Sequence, residues 1–291
     1  MAPNVNGSSM SDNIKEGRVL PKISVVVPSL NMAGFIGETL QSIVGQDYPN
    51  VECIVTDGGS NDGTLDILKK YGDRISWTSE KDSGQSEAIN KGLKKATGDI
   101  CAYLNADDVY EPGCFRRVAN CFTKNTAAKW LYGKCTIIDE KGAEIRKPIT
   151  RYKNFWQKRY SYNWLLVQDF IAQPAVFWRR ELTEEMGFFD VNEHIAMDYD
   201  YWLRAGAKYR PGFIDDYIAR FRLHPVSKSA TGYVKAARTA LNLGRKYAAL
   251  GKRNFMLPLQ YLNCGAVIAI YSVLSILASR NGVAGKPDKL V

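Results

Sequence analysis

The sequence predicts an α/β fold: a mixed, mainly parallel sheet flanked by helices, with a C-terminal helical extension. Three observations carry this expectation. Between residues 23 and 104, short apolar runs rich in β-branched residues alternate with single helical patterns, as in βαβ units. Polar clusters follow these runs at Pro28–Asn31, Asp57–Asp62, Glu80–Gly84 and Asn105–Asp108, the strand ends where such sheets open their ligand crevice. Past residue 228 the chain turns basic, and a long uncharged stretch follows.

In order, "ISVVVP" (23–28) reads as a buried strand, residues 36–44 as a helix, and "VECIVT" (51–56) as a second strand. "GTLDILKKYG" (63–72) is helical and "RISWTS" (74–79) a weaker strand; a helix over 84–97 and the strand "DICAYL" (99–104) complete this half. The second half reads as strands over 129–139 and 175–180, a helix over 197–209 and a strand over 213–224. The aromatic and basic piece 151–169 has no clear period, which predicts a mobile loop.

Hydrophobic content of 45% and charged content of 24% are ordinary for a globular protein. The six cysteines show no zinc spacing. Cys53 and Cys101 fall inside apolar runs, so free thiols in a reducing, cytoplasmic compartment are expected. Residues 1–21 are polar with no apolar h-region, which predicts a disordered tail without a secretory signal. Residues 228–291 hold ten Lys or Arg against the single acid Asp288, and this segment alone accounts for the net charge of +9. The rest of the chain is neutral and gives no nucleic-acid signal.

The polar clusters each admit two readings. "TDGGSNDGT" (56–64) lacks the Lys-Ser/Thr of a P-loop and the GxGxxG of a dinucleotide fold. A tight turn with Ser60, Asn61 or Asp62 as a helix cap explains most of it, but not Asp57, which ends its strand. In "EKDSGQSEAINKG" (80–92), Ser83 suits an N-cap and Asp82 lies at the crevice edge. Asn90 and Lys91 read as a solvated helix face, and Asn90 is also a candidate to contact a ligand in the crevice. In "NADD" (105–108), the strand stops at Asn105 and then at adjacent acids. A turn accounts for this stretch alone. Several strand-end acids around one crevice repel one another, however, unless a cation or hydrogen-bond donors join them. A divalent ion bound with a nucleotide diphosphate resolves that conflict.

"SVVVPSLNMAGFIGETLQSIVGQDYPNVECIVTDGGSNDGT", followed by "DSGQSEAINKGLKKATGDICAYLNADD", resembles the nucleotide-sugar half of family 2 glycosyltransferases, whose fold is called GT-A. "QPAVFWRR", "AMDYDYWLR" and "FRLHPVSKS" resemble the acceptor half, in the family's order. The resemblance implies a catalytic domain over 22–230, split into a nucleotide-sugar half (22–110) and an acceptor half (111–230). It also implies inverting transfer of a sugar from a nucleotide-diphosphate donor, a UDP-sugar favoured, to an acceptor hydroxyl on a polysaccharide or lipid-linked glycan. Pro28, Leu30, Asp57 and Asp82 match positions that hold base and ribose, and Asn105 and Ala106 begin the metal motif. Asp107 ends that motif and implies Mn2+ or Mg2+, with His224 near the diphosphate as a second metal or phosphate contact. Asp198 matches the catalytic base; by spacing alone it also suits a helix N-terminus. Three departures stand out: Asn105 where the motif has an acid, Gly58 where a second acid is frequent, and Met197 where many relatives have Glu.

Residues 231–291 form the predicted extension. On a helical wheel over 234–253, Lys235, Arg238, Arg245, Lys246, Lys252 and Arg253 fall within an arc of about 120°. The 26 uncharged residues Asn254 to Ser279 follow. A basic amphipathic helix before an apolar one reads as attachment to an anionic membrane surface through 234–279, peripheral or monotopic at the cytoplasmic face. Pro258, Gln260 and Asn263 interrupt the apolar stretch and argue against a full span. A helical pair packed on the catalytic domain is the structural alternative. Two functional alternatives remain: a non-catalytic nucleotide-sugar or lipid-binding protein on the same scaffold, and a sugar nucleotidyltransferase. The latter wants a basic loop after the first strand, and "PSLNMAGF" has none.

Overall fold

The computed structural model describes residues 20–225, 227 and 232–280. The expected tail over 1–21, Leu20 and Pro21 apart, and the end of the extension past 280 lie outside the described residues. The first half follows the predicted alternation: β1 (Ile23–Ser29), α1 (Ile36–Val44), β2 (Val51–Asp57), α2 (Thr64–Tyr71), β3 (Ser76–Ser79), α3 (Gln85–Lys95) and β4 (Ile100–Tyr103). The second half continues with β5 (Val109–Tyr110), α4 (Cys114–Lys124), β6 (Trp130–Ile138), α5 (Lys147–Gln157), α6 (Tyr162–Val167), β7 (Val176–Arg179), α7 (Arg180–Met186), α8 (Met197–Lys208) and β8 (Gly212–Arg222). Two helices close the chain, α9 (Tyr233–Leu250) and α10 (Leu257–Arg280).

The strands form one eight-stranded sheet in the order β3-β2-β1-β4-β7-β6-β8-β5. β1 to β4 run parallel, β7 joins β4 and β6 antiparallel, β6 pairs parallel with β8, and β5 lies antiparallel on β8. The sheet is mixed and mainly parallel, as the sequence predicts.

β1 is buried at every residue because helices cover both faces. Val25 and Val27 join Ile36, Leu40 and Ile43 of α1 in one apolar cluster, whereas Val26 joins Ile89 and Leu93 of α3 in the other. This is the two-residue alternation of a strand meeting the i, i+4, i+7 stripe of a helix. Gly92 lets α3 approach, since a Cβ there would lie 2.3 Å from Val26 Cγ1.

Residues 151–169 are not a loop. α5 and α6 occupy most of this stretch, and Trp156 packs against Trp164 across the turn, the rings tilted with centroids 4.5 Å apart. The helical period is hidden because α5 is buried only at Thr150 and Gln157, while Tyr152 and Phe155 face outward. The helix caps also differ from expectation. Glycines hold both N-cap positions, Gly63 (φ +98°) and Gly84 (φ +137°). Ser83 instead donates from its amide and its hydroxyl to Glu87 Oε2, at 2.7 and 2.5 Å.

The helices α9 and α10 pack on each other and on α6 and α8. Tyr247 donates to Asp200 Oδ1 (2.7 Å), Gln260 to the Leu166 carbonyl (3.0 Å) and Asn263 to the Val167 carbonyl (3.0 Å). Gly244 makes this approach possible, because a Cβ would sit 2.3 Å from the Leu166 oxygen. The polar residues that interrupt the apolar run therefore face inward. Pro258 is accommodated in the first turn of α10, where no intrahelical amide bond is lost. The outward face keeps Phe255, Leu262, Ile270 and Val273 exposed. Residues Asn254–Val273 have a mean hydropathy of 1.4, long and apolar enough to cross a membrane by length and composition.

Candidate active site

A cavity of about 650 Å3 opens at the C-terminal ends of β1 and β4, between the two halves of the sheet. Pro28, Leu30, Asp82, Asn105, Ala106, Asp107, Asp198 and His224 all line it. Asp57 and Asn90 do not. Asp57 is buried, and its oxygens accept from the amides of Gly59 and Ser60 (3.0 and 2.8 Å) and the hydroxyls of Ser60 and Ser79 (2.5 and 2.7 Å). It shapes the loop that supports the cavity floor. Asn90 is not on a solvated face: its amide is buried and clamps the Phe189 backbone, donating to the carbonyl at 2.8 Å and accepting from the amide at 3.0 Å.

The loops after β1 and β2 brace each other. Asn31, in the left-handed region at φ +53°, donates its amide to Ser60 Oγ (2.7 Å) and accepts at Oδ1 from the Asn61 amide (2.9 Å). This presents Leu30 to solvent at the mouth. Asp82 accepts from the Gly84 amide at 2.9 Å. Its Oδ2 lies 2.8 Å from where a Cβ on Gly58 would stand, so Asp82 fills the space that a second acid at 58 would need.

The adjacent acids Asp107 and Asp108 have different fates. Asp108 is fully buried, and its Oδ1 accepts the Arg222 amide (2.8 Å) while Oδ2 accepts from Asn105 (3.2 Å). Burial, and then the Asp107 charge, push its carboxyl well above the ordinary range. Asp107 faces the cavity with Oδ2 2.9 Å from His224 Nε2. The His224 ring is buried and stacks on Phe35 at 4.8 Å. A carboxylate facing an imidazole suits a divalent cation that takes its other positions from phosphate oxygens and water. Among the described residues no group of three or more His, Cys, Asp or Glu converges to hold an ion without such help.

Asn105 shows why an amide replaces an acid. It donates to Asp108 Oδ2 and Gln173 Oε1, both at 3.2 Å, and accepts from Gln85 at 2.6 Å. A carboxylate would leave two acceptors facing acceptors. Met197 departs for a packing reason: it is buried in the core beneath α3, its sulfur accepting from Ser86 Oγ at 2.8 Å.

Asp198, the second residue of α8, accepts the Tyr199 amide at Oδ1 (2.9 Å). Its Oδ2 makes no hydrogen bond among the described residues, although the side chain lines the cavity. Burial raises its pKa, with Lys153 opposing. Asp200 points away, held by Arg204 (2.9 Å) and Tyr247. His194 is exposed near Gly84.

Three residues escaped the sequence reading. Arg222 is buried under Asp107, donating to the carbonyls of Asp107 (2.8 Å), Asp139 (3.2 Å) and Glu140 (3.0 Å) and pairing with Glu38 (2.5 Å). Its signal was the R-x-H spacing, which puts Arg222 and His224 on one side of an extended chain. Lys153 and Asp169 line the cavity beside Asp198, and both fall in the stretch read as a loop. Burial lifts the Asp169 carboxyl to about 7 against the pull of Lys153, with Asp198 adding to the rise.

Fold and site together define a glycosyltransferase of the GT-A architecture. The sequence model for glycosyl transferase family 2 matches residues 24–187, and the chain belongs to that family. It is 30% identical over 204 residues to a PGL/p-HBAD biosynthesis glycosyltransferase of Mycobacterium bovis, covering 68% of this chain and 74% of the relative. It is 28% identical over 243 residues to an uncharacterized glycosyltransferase of Rickettsia typhi, covering 81% and 72%. Among solved structures, S. aureus TarS 1–349 in complex with UDP-GlcNAc superposes with a TM-score of 0.66 at 18% identity, covering 83% of this chain and 72% of that one. The mannosyltransferase PcManGT of Pyrobaculum calidifontis, in complex with GDP-Man and Mn2+, gives 0.60 at 19% identity, covering 91% and 84%. At these identities the structural likeness speaks for the fold.

Proposed function

We propose that the protein transfers a sugar, with inversion, from a nucleotide-diphosphate donor to an acceptor hydroxyl on a polysaccharide or lipid-linked glycan. The observation that carries this reading is that Asp198 and the Asp107–His224 pair line one cavity at the strand ends. Pro28, Leu30 and Asp82 would hold base and ribose, with Asn105 and Ala106 beneath the sugar nucleotide. Asp57, spent on its own loop, would act by holding that wall in place, and Asn90 by fixing the turn at Phe189. A UDP-sugar is favoured; the TarS structure holds UDP-GlcNAc, whereas PcManGT holds GDP-Man.

Asp198 Oδ2 takes the proton of the acceptor hydroxyl as its oxygen bonds to the anomeric carbon. The bond from that carbon to the diphosphate breaks, and the nucleoside diphosphate departs with the electron pair. Asp107 and His224 would hold Mn2+ or Mg2+, which supplies Lewis-acid neutralisation of the diphosphate when bound. Arg222 fixes the Asp107 backbone from below and keeps the carboxylate directed at the cavity. Through α9 and α10 the enzyme would sit peripherally on the anionic cytoplasmic face of a membrane.

Calorimetry of UDP, GDP, dTDP and CMP with and without Mn2+ tests the donor site. The reading expects metal-dependent binding of one diphosphate. Asp198→Asn should keep that binding and lose roughly 100-fold or more of turnover. Unchanged turnover would remove Asp198 as the base; absent turnover in the unaltered protein, with donor bound, would favour a non-catalytic binder.

A further inference from the structure

The acceptor side of the cavity carries a cation that the transfer chemistry does not use. Arg146, Ile149, Thr150 and Lys153 recur at i, i+3, i+4 and i+7, and all four line the cavity. Lys153 is committed to the field of Asp169 and Asp198. Arg146 is different. It is a non-glycine residue in the left-handed region, at φ +51° immediately before α5. Such a conformation persists where the surroundings impose it, and it clusters at ligand sites. Among the described residues the Arg146 guanidinium makes no ion pair; it lies over the Tyr271 ring at 5.5 Å. Tyr271 belongs to α10 and also lines the cavity.

The reaction cavity is therefore continuous with the helix that exposes Ile270 and Val273, and a single guanidinium stands at the junction. A ligand that matches this seam has an anionic group where it enters the cavity and a hydrocarbon portion outside. Guanidinium is the side chain best suited to phosphate, which it can grip with two parallel hydrogen bonds. We infer that Arg146 and Tyr271 form a phosphate subsite for the lipid-phosphate carrier of an acceptor glycan, whose hydroxyl reaches Asp198 and whose hydrocarbon lies along the outer face of α10. This rests on the transferase reading above and deepens it by naming the acceptor's chemical class.

The test compares flotation of the full chain with phosphatidylcholine vesicles carrying dodecyl phosphate and with vesicles carrying oleate at equal surface charge. The expected result is a preference for the phosphate vesicles. Arg146→Gln should weaken that binding about 10-fold or more and abolish the preference, with Arg146→Lys restoring part of it. UDP binding should stay unchanged in both variants. Equal binding of both vesicle types by the unaltered protein, or a preference that survives Arg146→Gln, overturns the subsite. Inorganic phosphate that competes as well as dodecyl phosphate overturns the lipid assignment. UDP binding by the unaltered protein is read separately, so failure of the donor site and failure of this subsite remain distinct.

Discussion

His224 Nε2 lies 2.9 Å from Asp107 Oδ2, and Arg222, two residues before that histidine, holds the Asp107 carbonyl at 2.8 Å. The chain at and just past the end of β8 thus grips Asp107 twice, once through its backbone and once through its carboxylate. Because Asp107 follows β4 and His224 follows β8, the pair also ties the first half of the chain to the second. Asp107→Asn keeps a hydrogen-bonding partner for His224 but weakens the anionic ligand. Mn2+-dependent nucleotide binding is expected to fall at least about 10-fold, with little change in melting temperature. Calorimetry at fixed nucleotide across a Mn2+ series reads this; unchanged metal dependence would exclude Asp107 as a ligand.

Arg222 should behave as a structural cation. Arg222→Ala strands the carbonyls of Asp107, Asp139 and Glu140 and leaves a void where a fully buried side chain stood. A loss of about 3 kcal/mol in urea unfolding is expected. Glu38→Gln should cost less than about 1 kcal/mol, because the Glu38 side chain is 55% exposed and water screens the pair. Equal costs for the two changes would mean that the ion pair, rather than the carbonyl cluster, stabilises this corner.

Much of the first half of the chain was legible in the sequence because its central strands are buried on both faces. "ISVVVP" has no alternation to misread, and its neighbours are amphipathic helices with clear stripes. The second half was less legible. α5 is solvated on most of its surface and aromatic on several sides, so no period separates core from solvent. Lys153 and Asp169 were lost with it. The different fates of Asp107 and Asp108 were hidden for another reason: which of two adjacent acids meets a buried arginine depends on β8, over 100 residues away in the chain. Asn90 shows the same limit, since its partner at Phe189 is 99 residues on.

The exposed apolar residues at the start of α10 and in the turn before it should bind vesicles without supporting the fold. Phe255 and Leu262 are 68% and 70% exposed, so Phe255→Ser with Leu262→Ser removes little core packing. Flotation with anionic vesicles is expected to drop several-fold at unchanged melting temperature. Reversing Arg245 and Lys246 to Glu should weaken flotation further at low salt than at high salt, because exposed charges are screened. Salt-independent loss would point to misfolding instead of surface charge.

The acid limb of the activity profile should be set by the carboxylates facing Lys153. A base at Asp198 would work only when ionised, and burial raises its pKa, so activity should fall as pH drops through that raised value. Lys153 lowers the pKa of both Asp198 and Asp169. Lys153→Met should therefore move the acid limb of kcat/KM to higher pH. Asp169→Asn removes a neighbouring negative charge and should move the limb to lower pH. The two shifts have opposite signs, which a general loss of structure could not produce. Stability should respond as well. The Asp169 carboxyl titrates at about 7 when folded, against an ordinary value of 3.8, so the folded state binds its proton more tightly. That contribution is complete below 3.8 and is lost as pH rises to about 7. Above that range Asp169→Asn should be more stable than the unaltered protein by up to about 4 kcal/mol, and at pH 4 most of that gain should be gone. Urea unfolding at the two pH values reads the difference. A gain independent of pH would mean that Asp169 is ionised throughout, and the shift of the acid limb would then need another source.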